Sequence, residues 1–345
     1  MKGLRKYLTP FAPDQSGAVS VLYELGGIVV ICDAGGCTGN ICGFDEPRWH
    51  SHRSAVFSAG LRDMDAILGR DDKLVAELVD AAGKIEARFA AIIGTPVPSV
   101  IGTDYLALRR MTEKKVDLPI LTVDTTGMEL YDVGAEKAYL ALMRRFARDQ
   151  MKTEAGKIGV FGVNPLDMSD IRAGDRIRDL LPGAKCYGMG SGFDDILTAA
   201  SAEKNIVTAP SGLRAAQYLE EKFGIPYDVY DPLAETLLPE RNYTGKRILI
   251  IDQQVRANTM RDLLLARGAA EVHCATWFLM DTTRTQSGDC KLREEDDFEA
   301  LVYGGDYDLL IGDPTLWRII PDYTGETINI PQFPVSGQLG GDALG

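Results

Sequence analysis

Histidine is scarce in this chain, with three residues, and no apolar run approaches the roughly 20 residues of a membrane span. The densest apolar stretch is Ile28–Cys32. Positive charge is also short, since 37 Lys and Arg face 50 Asp and Glu for a net charge of −13. A phosphate-backbone binder needs clustered cations, so nucleic acid is excluded as a general partner. There is no G-x-x-x-x-G-K-[ST] loop, which excludes ATP hydrolysis by the P-loop route. A G-x-G-x-x-G after a strand, a G-x-S-x-G elbow and an H-E-x-x-H pair are missing as well. The opening MKGLRKYLTPFAPDQSG carries basic residues without an apolar core, so it does not read as a signal peptide. The expectation is an acidic, soluble, cytoplasmic protein with no membrane partner.

What is present is an ordinary globular composition, 345 residues with 45% hydrophobic and 25% charged, enough for two or three domains. Strand and helix patterns alternate throughout. Gly26–Cys32 reads as a strand, and the stretch from Arg53 to about Gly69 as a helix. Asp71–Arg88 is amphipathic, with Leu74, Leu78, Ala81, Ala82 and Ile85 at helical spacing. Strands at Phe89–Ile93 and Leu118–Val123 frame a helix at Asp104–Lys115, and Ala135–Gln150 is a further helix. A second unit opens with the strand Lys157–Phe161. It continues through a helix near Ile171–Leu181, a strand at Ala184–Tyr187, and helices near Asp194–Ala202 and Leu213–Phe223. A third opens with Arg247–Ile251, then a helix near Val255–Arg267 and the strand Glu271–Thr276. A helix near Glu294–Tyr303 and the strand Asp308–Ile311 follow. This alternation predicts an α/β class with parallel sheets. Boundaries fall near Met151–Gly156 and Pro239–Gly245, giving units at 1–150, 151–240 and 241–345. Gly337–Gly345 reads as a loose tail.

Six cysteines are present, and Cys32, Cys37 and Cys42 fall within IVVICDAGGCTGNICGFDEPRW. Thiols stay reduced in the cytosol, so a tight cluster reads as metal-binding or catalytic. Steps of five do not repeat on one helix face, and Gly35, Gly36, Gly39 and Gly43 weaken any helix. The apolar run instead ends as a strand in a glycine-rich loop, where backbone amides can approach a bound group closely. Paired C-x2-4-C spacings that mark zinc are missing. An iron–sulfur cluster fits three thiolates better, with the fourth ligand coming from a non-cysteine group or from a second chain across a two-fold axis. Cys32 ends the buried strand and also fits as a core thiol. The scattered Cys186, Cys274 and Cys290 read as structural thiols.

Other motifs have plainer readings. Gly188-Met189-Gly190-Ser191-Gly192 could cradle an anion, but its departure from the fingerprint favours a tight turn. His50 and His52 read as a solvated helix start rather than a proton relay. His273 and Cys274 are consecutive in a strand and should face opposite ways. Glu294–Asp297 suits a helix start.

DAGGCTGNICGFDEPRW resembles the loop around a P-cluster cysteine in nitrogenase component 1 proteins, the molybdenum–iron protein superfamily, with Cys37 in the place of that cysteine. SAGLRDMDAILGRDDKL and AAIIGTPVPSVIGTDYLAL are similar to the family's following segments. EKFGIPYDVYDPL resembles the step that ends its second domain, and KRILIIDQQVRANTMRDLLLARGAAEV and DYDLLIGDP resemble third-domain strands. Thr95–Ser99 holds no cysteine where the family usually has one, which argues against the family's full eight-iron ligand set.

The resemblance implies three Rossmann-like domains around a central cleft, with the cysteine loop and a dimer contact in the first. It implies a four-iron or larger iron–sulfur cluster held by Cys37, with Cys42 and Cys32 as its other candidates, shared between two subunits of a homodimer or of a heterodimer with a related chain. A separate ATP-hydrolysing iron–sulfur reductase would dock over the symmetry axis and deliver low-potential electrons to reduce an unidentified small molecule in the interdomain crevice. Arg48 and Trp49 are candidates for docking or shielding, their plain reading being a helix-start contact after Pro47. Two other readings are a scaffold that assembles a metal cofactor and a cluster-free binding protein for a metal complex.

Overall fold

A computed structural model describes residues 5–52, 54–62, 71–149 and 151–340. Three sheets form within them. The first joins β1 (Ile28–Ile31), β2 (Ala55–Ser58), β3 (Ala90–Ile93) and β4 (Ile120–Val123) in the order β2-β1-β3-β4. The second joins β5 (Ile158–Phe161), β6 (Ala184–Cys186), β7 (Lys204–Val207) and β8 (Tyr227–Val229) in the matching order β6-β5-β7-β8. The third takes β9 (Arg247–Ile251), β10 (Glu271–Thr276), β11 (Cys290–Lys291), β12 (Leu309–Gly312) and β13 (Glu326–Asn329) in the order β11-β10-β9-β12-β13. Every pairing in them is parallel. Parallel sheets are covered on both faces, so their inner strands carry unbroken apolar runs. IVVI of β1 and AAII of β3 are wholly buried for that reason. The α/β class expected from the alternation is what the chain forms. No helix among the described residues is long and apolar enough to cross a membrane.

Two helices fasten the first sheet to the second. Helix α1 (Asp14–Leu22) is buried along its whole length, and its apolar residues follow no stripe, which is why periodicity does not reveal it. The helix Tyr131–Phe146 lies against it, and the two backbones touch. A Cβ added at Gly17 would stand 1.8 Å from the Tyr131 carbonyl oxygen, and one at Gly134 1.7 Å from that of Asp14. Around this crossing a single core runs from Val29, Phe89 and Leu142 to Phe161, Tyr187 and Val207. Phe89, Phe146 and Phe193 meet at its centre, with ring centroids 4.9–5.8 Å apart.

Several expectations are corrected. Ala55–Ser58, expected within a helix from Arg53 to about Gly69, is the edge strand β2, paired in register with β1; residues 63–70 lie outside the described residues. Its four residues are too few to show a period against the glycine and acidic residues that follow. The helix beginning at Asp71 stops at Ala82 instead of Arg88, because Gly83 follows. Strands β7 and β8 escape notice because they are short and open on polar or half-exposed residues. The described part of the expected tail is fastened, since Gly340 N–H donates to the Ser169 carbonyl at 2.8 Å. Elsewhere Leu213–Phe223 and Glu271–Thr276 fall where expected, and Asp297 accepts from Glu294 N–H to start the helix Glu295–Gly304.

The crossing generates a stability prediction. Gly134→Ala forces a methyl group into a backbone carbonyl that has no rotamer to yield, so it should cost on the order of 3 kcal/mol. Urea denaturation of the variant beside Gly36→Ala, whose Cβ meets nothing within 4 Å, checks this. Equal midpoints would contradict the close approach.

Candidate functional site

Strand β1 ends at Ile31 and the chain turns out of the sheet at Asp33. The Asp33 carboxylate is buried and organises the turn. It accepts Thr38 N–H at 2.7 Å, Thr38 Oγ1–H at 2.9 Å and Ser58 Oγ–H at 2.6 Å. Gly35 sits at φ +109°, a left-handed conformation that favours glycine. A short helix, Gly36–Asn40, follows, then one π-helical turn, Ile41–Asp45, and a 3-10 turn, Pro47–His50. Asp45 closes the middle of the loop by accepting from Ser16 Oγ at 2.7 Å and Asn40 Nδ2 at 2.6 Å.

The three clustered cysteines are not brought together. Cys32 continues the alternation of β1 and packs with Ile28, Val30, Leu74 and Leu108, where burial pushes its thiol up to about 12. Cys37 leans on the core of the opposite sheet face, the one containing Val29 and Ile31. Cys37 and Cys42 are both half-buried on the outward loop. Partial burial raises both thiols, with Asp33 adding to Cys37 and Glu46 and Asp33 adding to Cys42. Among the described residues no group of three or more His, Cys, Asp or Glu side chains is arranged to hold a metal ion. One chain therefore offers two outward thiols, and Cys32 stands apart from them in hydrocarbon. Cys186 and Cys274 are buried structural thiols, and Cys274 and His273 do face opposite layers.

The loop around the two thiols is open, and large apolar side chains are exposed at the same end of the first sheet. A Cβ at Gly36, Gly39 or Gly43 would meet nothing within 4 Å. Phe44 is 75% exposed, and Val100 of the helix Pro96–Ile101 and Met128 are 81% and 77% exposed. A cleft of about 830 Å³ runs beside the loop, lined by Asn40, Gly43, Phe44, Met128 and the turn Phe333–Gly337. Phe44, Val100 and Met128 each follow the carboxyl end of a strand of the first sheet.

Arg48, a candidate for docking or shielding whose plain reading is a helix-start contact after Pro47, makes that contact by donating its backbone N–H to Glu46 Oε1 at 3.0 Å. Its side chain is fully buried, and all five of its N–H groups are used. Nε donates to Glu46 Oε1 at 2.7 Å and Nη2 to Glu46 Oε2 at 2.8 Å and Ser20 O at 2.7 Å. Nη1 donates to Glu24 Oε1 at 2.8 Å and Gly188 O at 3.1 Å. Burial works against its charge, and the carboxylates of Glu46 and Glu24 outweigh that. Trp49 and both His50 and His52 are exposed, in keeping with a solvated helix start. The Gly188–Gly192 stretch is a turn: Gly188 and Gly190 have positive φ, and Gly190 N–H donates to Glu24 Oε2 at 2.6 Å.

The crevice expected among the three sheets is filled with side chains. Gln253 Nε2 donates to Thr208 O at 2.7 Å, Arg256 Nε to Asp231 at 2.8 Å and Ser211 Oγ to Asp167 at 2.7 Å. Burial pushes the Asp167 carboxyl up to about 7, and those of Asp132 and Asp252 up to about 6. A cavity of about 230 Å³ at the rim of this junction touches Met168, Arg176, Arg256 and Asn329. The roomier space lies beside the cysteine loop.

Comparison with known proteins adds to this geometry. A family model described as nitrogenase component 1 type oxidoreductase matches residues 15–234, more than half of the chain. The nitrogenase iron-molybdenum cofactor biosynthesis protein NifE of Clostridium pasteurianum is 29% identical over 180 residues. That alignment takes in 50% of this chain and 38% of the relative's length. The solved structure of nitrogenase Cp1 at pH 6.5 superposes with a TM-score of 0.75 at 12% identity, covering 99% of this chain and 90% of that one. Nitrogenase Cp1 at pH 5 gives 0.71 at 15% identity, covering 96% and 85%. At such identities the likeness is one of fold.

Two measurements test this description. In metal-free folded protein, iodoacetamide should modify Cys37 and Cys42 and spare Cys32, Cys186 and Cys274, as read by peptide mass spectrometry. The rate should still be climbing above pH 8.5, because both outward thiols are raised. The second concerns Asp167. Its folded value lies above the unfolded value of about 3.9, so its contribution is complete at low pH and is lost as pH rises through about 7. The wild type should lose denaturation midpoint between pH 5 and pH 8, and Asp167→Asn should lose less. Parallel slopes would mean that Asp167 is ionised in the fold throughout.

Proposed function

Because the chain belongs to the nitrogenase component 1 type oxidoreductase family, we propose that it is a cluster-carrying subunit that accepts low-potential electrons to reduce a small molecule. Cys37 and Cys42 would hold an iron–sulfur cluster jointly with the thiolates of a second subunit, either a copy of this chain or a related one. The donor chemistry fits, since soft thiolates are the usual ligands of such clusters and the glycines beside them leave room. Cys32 is left out of the ligand set by its place in the core, so two chains would supply two thiolates each, the number one cubane needs. The cluster would take up and release electrons singly.

The observation that carries this reading is the pairing of two outward thiols with an exposed apolar skin at the same end of the first sheet. Phe44, Val100 and Met128 would be covered by the second subunit, keeping water from the metal. Asp33 holds the loop in shape before metal arrives, and each raised thiol gives up a proton as metal binds. The first unit, residues 1–150, thus supplies both the ligands and the subunit contact. Lacking a P-loop, the chain would depend on a separate ATP-hydrolysing iron–sulfur reductase. The cleft beside the loop, rather than the filled junction of the three sheets, offers the room for a substrate.

A second reading, a scaffold on which a metal–sulfur cofactor is built and passed on, is favoured by the likeness to the cofactor biosynthesis protein NifE. The two readings share the cluster and differ in turnover.

Anoxic purification with iron and sulfide analysis, followed by electron paramagnetic resonance, tests the shared part. Brown protein containing both elements is expected, and Cys37→Ala should lose or change the signal. Colourless protein that takes up no iron on anoxic reconstitution would overturn it, leaving a cluster-free binding protein. ATP-dependent oxidation of an added reduced iron–sulfur ATPase separates catalyst from scaffold.

A further inference from the structure

The loop between Asp33 and Ser51 is anchored twice, and the two anchors lead to different parts of the molecule. The first is Asp33, whose bonds to Thr38 and Ser58 stay inside the first sheet and flank Cys37. The second is Arg48, which lies beyond Cys42. Its fork joins Glu46 of the loop to Ser20 of α1, to Glu24 and to the Gly188 carbonyl of the second unit. Glu24 completes the tie by accepting Gly190 N–H with its other oxygen. The face of Tyr23 lies 4.9 Å from the guanidinium, and the Tyr23 hydroxyl donates to the His52 carbonyl, so the end of the loop is held on that side as well.

We propose that Arg48 is a positioning residue that sets the place of Cys42 from the second unit, through the Glu24 bridge to the Gly188–Gly190 turn. A surface arginine would not need five satisfied donors, and a purely structural ion pair would be complete with Glu46 alone. The three further acceptors belong to elements remote in sequence, and each removes a direction in which the π-helical turn could move. A planar fork does this and an ammonium does not, because lysine offers a point charge with no fixed geometry. Cys37 and Cys42 therefore answer to different parts of the protein. A shift of the second unit would move one thiol relative to the other. For the metal, this consequence rests on the cluster reading above; for the thiols, it does not.

The test uses the metal-free full chain and two variants, Arg48→Lys and Glu24→Gln. The second keeps the shape of the bridge, but an amide cannot accept with both ends. Each is checked for folding by circular dichroism, and alkylation rates of Cys37 and Cys42 are read separately by mass spectrometry. Cys42 should react about tenfold faster in Arg48→Lys, and measurably faster in Glu24→Gln, while Cys37 changes less than about twofold. Equal acceleration of both thiols, or none at Cys42, would overturn the proposal. If Arg48→Lys fails to fold, Glu24→Gln alone decides. After anoxic reconstitution, a shifted resonance signal at unchanged iron content in Glu24→Gln carries the effect to the metal. An unshifted signal would confine it to the apo protein. Wild-type protein that binds no iron would sink the cluster reading while leaving the alkylation result intact.

Discussion

The contact on which the rest depends is the crossing of α1 with the helix Tyr131–Phe146. Two glycines let two backbones meet, and that approach sets where both sides of α1 point. On one side the helix closes a core shared by the first and second sheets. On the other, Ser16 and Ser20, one turn apart, hold Asp45 and Arg48 of the cysteine loop. At its start the Asp14 carboxylate accepts Thr126 N–H and Gly127 N–H, fixing the loop that ends in Met128. The thiols, the apolar skin and the second unit are thus all referred to one buried helix of nine residues.

The electrostatics around the thiols run against a free nucleophile. Reactive cysteines sit near cations or helix amino ends, whereas Cys37 and Cys42 have Asp33 and Glu46 as their charged neighbours. Arg48, just beyond Cys42, is wholly committed to carboxylates and carbonyls, so it is structural in its reach even though it lies close by.

Much of the fold was legible, because parallel strands buried on both faces announce themselves as apolar runs. Ile28–Ile31 and Arg247–Ile251 needed nothing else. The cysteine loop was legible from its glycines and thiols, and its position at the end of β1 followed. What escaped were features decided by tertiary contact. Helix α1 is buried on all sides and shows no stripe. Arg48 resembled any residue after a proline, since nothing local reveals three remote acceptors. Cys32 counted with its neighbours by spacing, but the two-residue period of a strand turned it to the opposite face from Cys37. The central crevice looked open on the precedent of α/β sheets, yet Arg256, Gln253 and three high-pKa carboxyls occupy it.

The tie between Arg48 and the Gly188–Gly190 turn spans 140 positions of sequence. Synthesis runs from the amino terminus, and domains generally fold as they emerge. The first sheet can assemble once β4 has left the ribosome, but the end of the cysteine loop gains its last partners only when the second unit has also formed. During that interval both thiols are present on a half-fastened segment. The end of the loop beyond Cys42 is therefore fastened later in synthesis than its start at Asp33.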